Sequence, residues 1–460
     1  MNARANRFAN TSFRDPSGFM FESGGKIYRH ITFNYRSQYD QLMNSGLYRL
    51  LVHQKQLISH REIDLTCEYG ETAYTIIEPE TIPFVSYPYE WCFSQLKDAS
   101  LLTLQVLKIA LEHGMILKDG SAYNVQFYQG KPIFIDTLSF DHYSEGMAWP
   151  GFKQFCQHFL GPLALMKYRD IRLNQLLQIF LDGIPLELAS RLLPWRSLLN
   201  VPILLNLHLH ARFALHYAGR TNVPRKYAVS KKSLLGLIGM LESAIQGISL
   251  RRRTSEWSRY YSSNVYSPEA TQSKIEIVQD FLNRCRPSTV WDVGANEGVY
   301  SRLASRMGAF VLSLDSDPLA VEFNYLHCRK ENLSTILPLR MDLCNPSPGI
   351  GWNNQERNAF WDRGHADGIL ALALLHHLAI SNNLPLPLIA QMFAERCRYL
   401  ILEFVPKSDP MVQLLLKHRE DIFQEYTLQD FERTFLKYFC IESKQPVKNL
   451  ERVIYFMQVK

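Results

Sequence analysis

The sequence TVWDVGANEG at residues 289–298 decides the fold of the second half of this chain. Its apolar beginning predicts a buried β-strand, and its two glycines predict a tight turn where that strand ends. Apolar residues at helical spacing follow, from Val299 to Met307. A strand, a glycine turn and a helix in this order let a nucleotide-like ligand lie against bare backbone, because glycine removes the side chain where the ligand approaches.

Further apolar runs extend this pattern to a whole sheet. They predict strands at 310–314, 336–339, 367–374, 399–405, 439–442 and 453–458. The chain closes with two of these strands, which predicts an antiparallel edge on an otherwise parallel sheet. We therefore predict an α/β, Rossmann-like, seven-stranded domain over residues 268–460.

Acidic residues lie where the first three strands of the predicted sheet end, counting the strand that begins at Thr289 as the first. Asp292 can accept hydrogen bonds or pair with a cation, Asp315 suits ribose hydroxyls, and Asp342 follows the third strand. The turn reads D-x-G-x-N-x-G rather than G-x-G-x-x-G. With these features, residues 268–460 resemble class I S-adenosylmethionine-dependent methyltransferases, and the resemblance covers the whole expected domain. A doubly wound domain that binds another nucleotide, or nothing, is the alternative.

The resemblance implies a role for each position of the motif. The methionine end of S-adenosylmethionine would be shaped by Asp292, Gly294, Asn296 and Gly298. Asp315 would hold the ribose hydroxyls, and Asp342 would accept a hydrogen bond from the adenine amino group.

Candidates for the transfer step lie at the carboxyl ends of the fourth and fifth strands. They are His376, His377 and Glu403. Adjacent helical residues point about 100° apart, so at most one of the two histidines is expected to face the cofactor. The absence of N-P-P-Y, D-P-P-Y and Pro-Cys motifs argues against methylation of adenine, glutamine amides or cytosine C5. An oxygen or nitrogen of a small molecule, a glycan, a lipid-linked sugar or a protein stays open as the acceptor.

Length and composition bound the remaining possibilities. A chain of 460 residues with 47% hydrophobic and 20% charged residues is expected to form two or three globular domains. The net charge of +6 is mild, so nucleic acid is neither indicated nor excluded as a partner. Eight scattered cysteines without a C-x-x-C pair predict no zinc site or disulfide framework, and they favour the cytoplasm. We expect no membrane span and no secretory signal.

The first half predicts an α+β domain over residues 1–218, with a helical subdomain over 150–218. We expect a β-hairpin at 18–31, a helix at 37–58, strands near 73–77 and 84–87, and a long helix at 95–113. The histidines His208, His210 and His216 are expected to pack or face solvent rather than bind metal, since i and i+2 lie on different helix faces.

Three residues after the long helix carry a second resemblance. Asp119, Asn124 and Asp136 have the order and spacing of the catalytic loop and metal-binding aspartate of the protein-kinase-like fold. The resemblance implies that Asp119 is a base and that Asn124 and Asp136 hold magnesium with ATP. The chain departs from the family: it has no glycine-rich phosphate loop and no V-A-I-K-like strand, and Thr137-Leu138 follow Asp136. The alternative is an ordinary hairpin with polar turn residues.

A basic and aromatic linker is expected at 219–267. Its basic residues could touch phosphates or simply be solvated: Arg220, Arg225, Lys226, Lys231, Lys232 and Arg251 to Arg253. Its aromatic residues could cover the cationic sulfonium or form a domain interface: Trp257, Tyr260, Tyr261 and Tyr266.

The stretches SYPYEWCFSQLKDASLLTL and LALLHHLAISNNLPL together resemble bacterial nodulation-type methyltransferases, a label that implies glycan-related methylation. The leading hypothesis is a cytoplasmic methyltransferase with an unidentified acceptor. The alternatives are a bifunctional or pseudokinase-like chain that binds ATP and magnesium in its first half, and a binding scaffold that does not turn over.

Overall fold

The computed structural model describes residues 12–64, 73–209, 228–250, 267–417 and 419–460. The chain divides into two compact units. The first consists of Met1–Arg252 and Pro348–Ala359, and the second consists of Arg253–Ser347 and Phe360–Lys460. The first unit is thus assembled from two separate stretches of chain. The domain boundaries 1–218 and 268–460 stay a prediction.

The first unit contains eight described strands: β1 (Gly18–Ser23), β2 (Lys26–Thr32), β3 (His60–Ile63), β4 (Ala73–Pro79), β5 (Met115–Leu117), β6 (Val125–Tyr128), β7 (Lys131–Phe134) and β8 (Phe140–His142). An antiparallel sheet has the order β1-β2-β4-β3, while β5 pairs with β8 and β6 with β7. The predicted hairpin at 18–31 is confirmed, and its turn uses Gly24 and Gly25 at positive φ.

The helices of the first unit begin between β2 and β3 of the small sheet and continue beyond it in chain order. The α-helices are Arg36–Asn44, Leu47–His53, Phe93–Glu112, Phe152–Phe155, Gly161–Tyr168, Leu176–Ile179, Leu186–Leu192, Val201–Ile203 and Lys231–Gly247. Two π-helical turns, Cys156–Leu160 and Leu204–Leu209, continue the segments before them. Phe93–Glu112 is the central helix, with thirteen buried residues. An antiparallel sheet and separate helices make this unit α+β, as predicted.

Two details of the first half differ from the sequence prediction. The helix expected at 37–58 is two helices, because Gly46 adopts φ +82 between them. The strand expected at 84–87 is wrong. There the backbone amides of Ser86 and Tyr87 donate to the side chains of Gln126 (2.9 Å) and Glu90 (2.9 Å), so no neighbouring strand receives them.

Parts of the predicted linker lie outside the described residues. They are Arg220, Arg225, Lys226, Arg251 to Arg253, Trp257, Tyr260, Tyr261 and Tyr266, and the same holds for His210 and His216. Lys231 and Lys232 begin the described helix Lys231–Gly247. None of the described helices is both long and apolar enough to cross a membrane.

The second unit contains seven described strands: β9 (Thr289–Val293), β10 (Phe310–Asp315), β11 (Ile336–Arg340), β12 (Ala366–Ala371), β13 (Cys397–Phe404), β14 (Phe439–Pro446) and β15 (Val453–Val459). They form one sheet in the order β11-β10-β9-β12-β13-β15-β14. The first five strands are parallel, and β15 runs antiparallel to both neighbours. This is the strand order of the class I methyltransferase fold, which confirms the predicted α/β architecture and its antiparallel edge.

The helices of the second unit cover the parallel strands, so those strands are buried. They are Pro268–Cys285, Val299–Arg306, Pro318–Lys330, Leu386–Ala394, Pro410–Leu416 and Leu428–Phe435. One core cluster joins Val278 and Phe281 of the first of these helices to Val290, Val311 and Ile401 of the sheet. The strand ends that build the site are therefore anchored in a rigid core.

Candidate functional site

A cavity of about 340 Å³ opens at the carboxyl ends of β9, β10, β11 and β12. Ligands of open α/β sheets bind at this edge, and the volume lies in the range of small-ligand sites. Its lining residues are Thr271, Lys274, Asp292, Gly294, Ala295, Asn296, Tyr300, Asp315, Ser316, Met341, Asp342, Leu343, Cys344, Leu372, Ala373, Leu374, His377, Leu378, Ser381, Asn382 and Leu415. Five of the six predicted cofactor-binding residues are among them.

Backbone conformation shapes the floor of this cavity. Gly294 has φ +75 and Asn296 has φ +51, a region that favours glycine and tolerates asparagine. A Cβ on Gly294 would lie 3.2 Å from Cδ1 of Leu374, so the turn and the segment after β12 approach closely. Ala373 also has positive φ, +53, which costs an alanine about 1–2 kcal/mol. Such strain is concentrated at functional sites.

Asp315 is held in place by the turn. Its Oδ2 accepts a hydrogen bond from the backbone N–H of Asn296 (2.7 Å), and its Oδ1 accepts one from Asp317 (2.8 Å). Burial raises the pKa of the Asp315 carboxyl to about 6, although these backbone hydrogen bonds oppose the shift. The carboxyl is thus fixed in direction and still faces the cavity.

Asp292 lies deeper, at 2% exposure, where the Ser301 hydroxyl donates to its Oδ2 (2.6 Å). Burial raises the pKa of Asp292 to about 6, and the charge of Asp315 adds to the shift. Asp342 is exposed at the mouth of the cavity, and its Oδ1 accepts from the backbone N–H of Cys344 (2.9 Å). Three carboxyls therefore follow one another along three adjacent strand ends.

Gly298 is the predicted cofactor residue that does not line the cavity. It has φ +73 and precedes the helix Val299–Arg306. A Cβ at this position would overlap with the side chain of Asn324, a neighbour across the fold. The structure therefore gives Gly298 a packing function next to the site.

The two histidines after β12 are placed differently. His377 lines the cavity, whereas His376 is 1% exposed and is not among the lining residues. Their ring centroids are 4.2 Å apart with the ring planes tilted by 40°, and Nδ1 of His376 has no hydrogen-bond partner. Burial lowers the pKa of both histidines, so His377 is neutral at pH 7 and offers a lone pair.

Glu403 is fully buried and does not line the cavity. Lys274 Nζ donates to its Oε2 (2.6 Å), and Arg452 Nη1 lies 3.6 Å from its Oε1. Arg452 in turn is 2.7 Å from Asp409. Both cations hold the carboxylate in position, so Glu403 supports the site rather than facing it.

Lys274 is a lining residue that the sequence analysis missed. It lies on the buried face of the helix Pro268–Cys285, between Ala270 and Ile277, and its Nζ lies 5.2 Å from the ring centre of Tyr300. A lysine at an apolar position of an amphipathic helix was the available signal, since lysine is rarely buried without a partner.

In the first unit, the structure brings the three kinase-like residues together. Asn124 Nδ2 (2.6 Å) and the Ser139 hydroxyl (2.5 Å) donate to Oδ1 of Asp119, and Arg29 Nη1 donates to Oδ1 of Asp136 (2.6 Å). Burial, with the charge of Asp136, raises the pKa of Asp119 to about 7.

Asp119 and Asn124 are thus bonded to each other, whereas Asp136 is bonded to Arg29. Within the described ranges, no group of three or more His, Cys, Asp and Glu residues could hold a metal ion. Binding of ATP and magnesium at Asp119, Asn124 and Asp136 stays a prediction that the described residues do not support.

Comparison with known proteins identifies the family. No family model matches the sequence. The nodulation protein NoeA of Rhizobium meliloti (strain 1021) is 32% identical over 452 residues, which cover 96% of this chain and 94% of that protein.

Two solved structures are also similar to part of the chain. The match with the magnesium protoporphyrin IX methyltransferase of Synechocystis PCC 6803 covers 46% of this chain and 90% of that protein, at 17% identity and a TM-score of 0.31. The N-methyltransferase NodS of Bradyrhizobium japonicum WM9 covers 42% and 98%, at 8% identity and a TM-score of 0.30. These TM-scores are too low for either structure to indicate the function of this chain. The 32% sequence identity with NoeA extends along nearly the whole length of both chains, so this chain belongs to the family of the nodulation protein NoeA.

Proposed function

We propose that the second unit binds S-adenosylmethionine in the cavity and catalyses methyl transfer to an oxygen or nitrogen atom of an acceptor. The observation that carries this proposal is the row of carboxyls at three adjacent strand ends beside a positive-φ glycine turn, at the ligand-binding edge of a sheet with methyltransferase topology.

The lining residues fit this cofactor in chemistry and order. Asp315, with its carboxyl held by two backbone N–H groups, would accept hydrogen bonds from the two ribose hydroxyls. Asp342, one strand further along, would accept from the adenine amino group. Asp292 and the bare backbone at Gly294 would receive the methionine end, where its ammonium needs a negative partner.

The cofactor supplies a methyl group on a cationic sulfur. In the transfer, the acceptor's lone pair forms a bond to the methyl carbon while the carbon–sulfur bond breaks and its electrons stay on sulfur. The chain orients the two reactants, which is often most of what this reaction requires. His377, neutral at pH 7, would take the proton that a hydroxyl or amine acceptor releases.

The acceptor and its setting belong to the same proposal. The relative is named a nodulation protein, and we propose a nodulation role for this chain as well, with a glycan-related acceptor in the cytoplasm. A small molecule or a protein is the alternative acceptor, and a binding scaffold without turnover is the alternative function.

Titration calorimetry with S-adenosylmethionine tests the proposal. Asp315→Ala should weaken binding by about 1–3 kcal/mol, or roughly 5- to 150-fold, because charge-assisted hydrogen bonds are lost. Glu331→Ala is the matched control, since Glu331 is an exposed carboxylate of the same unit that does not line the cavity. Folded protein that does not bind the cofactor, or equal losses in both variants, would refute the assignment.

A further inference from the structure

We infer that the first unit docks on an anionic lipid bilayer surface through the segment Trp195–Leu205. Five of its apolar side chains are exposed, and they are here called the 195–205 face: Trp195 at 70% exposure, Leu198 at 44%, Leu199 at 75%, Val201 at 59% and Leu205 at 44%. An exposed apolar group of this density marks an interaction surface, whereas single exposed leucines do not.

The 195–205 face is presented by an anchored segment. Between its members, the side chains of Ser197 and Ile203 point inward and are fully buried. The Ser197 hydroxyl donates to the carbonyl of Pro194 (2.6 Å), and Asn200 Oδ1 accepts from the backbone N–H of Ile203 (3.1 Å). The outward direction of Trp195 and Leu199 is therefore fixed by local bonding.

Along the sequence, the residues within and after the segment carry charge of a single sign. The 54 residues from Leu188 to Leu241 contain no Asp or Glu and eight Arg or Lys, in a chain whose totals are nearly balanced at 44 and 50. Two of these basic residues are exposed: Arg196 lies within the segment, and Arg191 lies in the helix before it. A negatively charged partner is the one that complements this composition.

Aromatic and aliphatic side chains beside arginines are typical of peptides that lie in the bilayer interface. Tryptophan favours the boundary between headgroups and acyl chains, and the arginine stems can lie along that boundary while their guanidinium groups reach lipid phosphates. A second copy of this chain fits less well, because a symmetric contact would bring the same cationic patch against itself.

Co-sedimentation of the full chain with vesicles tests this inference without cofactor or acceptor. One preparation is pure phosphatidylcholine, and the other contains roughly one third phosphatidylglycerol to supply negative surface potential. We expect binding to the anionic vesicles alone, weakened as salt screens the charges.

Two double variants separate the contribution of positive charge to vesicle binding from that of apolar area. Arg191→Gln/Arg196→Gln should lower the partition coefficient about 30-fold, since each basic residue near an anionic surface contributes about 1 kcal/mol and 1.4 kcal/mol is tenfold. Trp195→Ser/Leu199→Ser should lower it at least about tenfold by removing buried apolar area. Both positions are largely exposed, so the fold is retained. Leu388→Ser, at an exposed leucine of the second unit, is the control that should change nothing.

Several outcomes would overturn the inference. They are absence of binding to anionic vesicles, equal binding to neutral vesicles, or unchanged binding in both variants. A molar mass in light scattering that falls from dimer to monomer in Trp195→Ser/Leu199→Ser, without lipid, would instead assign the face to a second copy of the chain. Because no measurement here uses S-adenosylmethionine, failure of the lipid surface leaves the proposed methyl transfer standing, and the reverse also holds.

Discussion

In the proposed function Asp315 binds the ribose hydroxyls of the cofactor, so its ionisation should make cofactor binding depend on pH. The pKa values of Asp315 and Asp292 are both raised to about 6 by burial. Hydroxyl and ammonium donors need the ionised carboxylates, so affinity should be constant above pH 7 and fall by up to about tenfold per pH unit and group below pH 6. Calorimetric titrations from about pH 5 to about pH 8 measure this dependence.

Asp315→Asn provides the comparison. It keeps the shape of the side chain but does not ionise, so affinity should be lower at pH 7 and its decline below pH 6 should be shallower, with Asp292 responsible for the remainder. The same decline in Asp315→Asn and in the wild type would show that Asp315 does not contact the ligand.

Substitutions at Gly298 and Gly308 distinguish the energetic cost of close packing from that of backbone strain. Both have positive φ, +73 and +94, but a Cβ on Gly298 would overlap with Asn324, whereas one on Gly308 would meet nothing within 4 Å. Gly308→Ala should therefore lower the free energy of unfolding by about 1–2 kcal/mol through strain alone. Gly298→Ala should add about 1–3 kcal/mol of overpacking. Urea unfolding measures both, and equal losses would contradict the packing function of Gly298.

At the scale of elements, the helix Pro268–Cys285 is joined to β13 through a buried ion pair. Lys274 and Glu403 are both almost completely buried, and Arg452 extends the pair to Asp409. Glu403→Gln would leave two buried cations without their shared carboxylate, which should lower the free energy of unfolding by about 3–5 kcal/mol.

The matched control for that variant is Glu395→Gln. Glu395 is an exposed glutamate next to the start of β13, and its loss should change the free energy of unfolding by less than about 0.5 kcal/mol. Chemical denaturation of both variants decides the matter. A small effect of Glu403→Gln would mean that Lys274 loses its proton readily when its partner is removed, in line with the lowered pKa that burial gives it.

Elements with a strong periodic pattern could be predicted from the sequence, and elements decided by side-chain chemistry could not. The parallel strands β9 to β13 follow from apolar runs because both of their faces are buried. Residues 84–87 have the same apolar character, yet Gln126 and Glu90 take their backbone donors. For the same reason Asp315 could be predicted as an acidic residue at a strand end. The position of Lys274 on an apolar helix face indicates burial, but not that its partner is Glu403, which is 129 residues away.

At the scale of the whole molecule, the sequence does not predict which stretches of chain form the first unit. The stretch Pro348–Ala359 belongs to it, although the stretch lies between two strands of the methyltransferase sheet. Within that unit, Arg14 forms two hydrogen bonds with Glu356 (2.7 and 2.9 Å), and the backbone N–H of Asn358 donates to the Tyr87 hydroxyl (2.9 Å). Arg357 lies 4.5 Å from the ring centre of Tyr123. No local pattern encodes pairings across more than 200 residues.

The Arg14–Glu356 pair should therefore stabilise the first unit. The Glu356 side chain is 4% exposed and that of Arg14 is 57% exposed, so Arg14→Ala leaves a buried carboxylate with fewer donors. We expect a loss of about 1–3 kcal/mol in the free energy of unfolding. Arg61→Ala is the control, because the Glu78 that it pairs with is more open to solvent, and it should change the free energy of unfolding much less than Arg14→Ala does.

The pH dependence of the stability difference between wild type and Arg14→Ala identifies the interaction between Arg14 and Glu356. Burial would raise the pKa of Glu356, but the hydrogen bonds from Arg14 and from the Trp352 backbone, with the charge of Arg14, hold it below 4.5. A lowered carboxyl pKa stabilises the fold above the unfolded value and loses that effect as pH falls through the folded value. The difference between wild type and Arg14→Ala should thus be largest above about pH 5 and shrink in acid. In a double-mutant cycle with Glu356→Gln, a coupling free energy of about 1–2 kcal/mol is expected, and strictly additive losses would show that the pair is not a unit of stability.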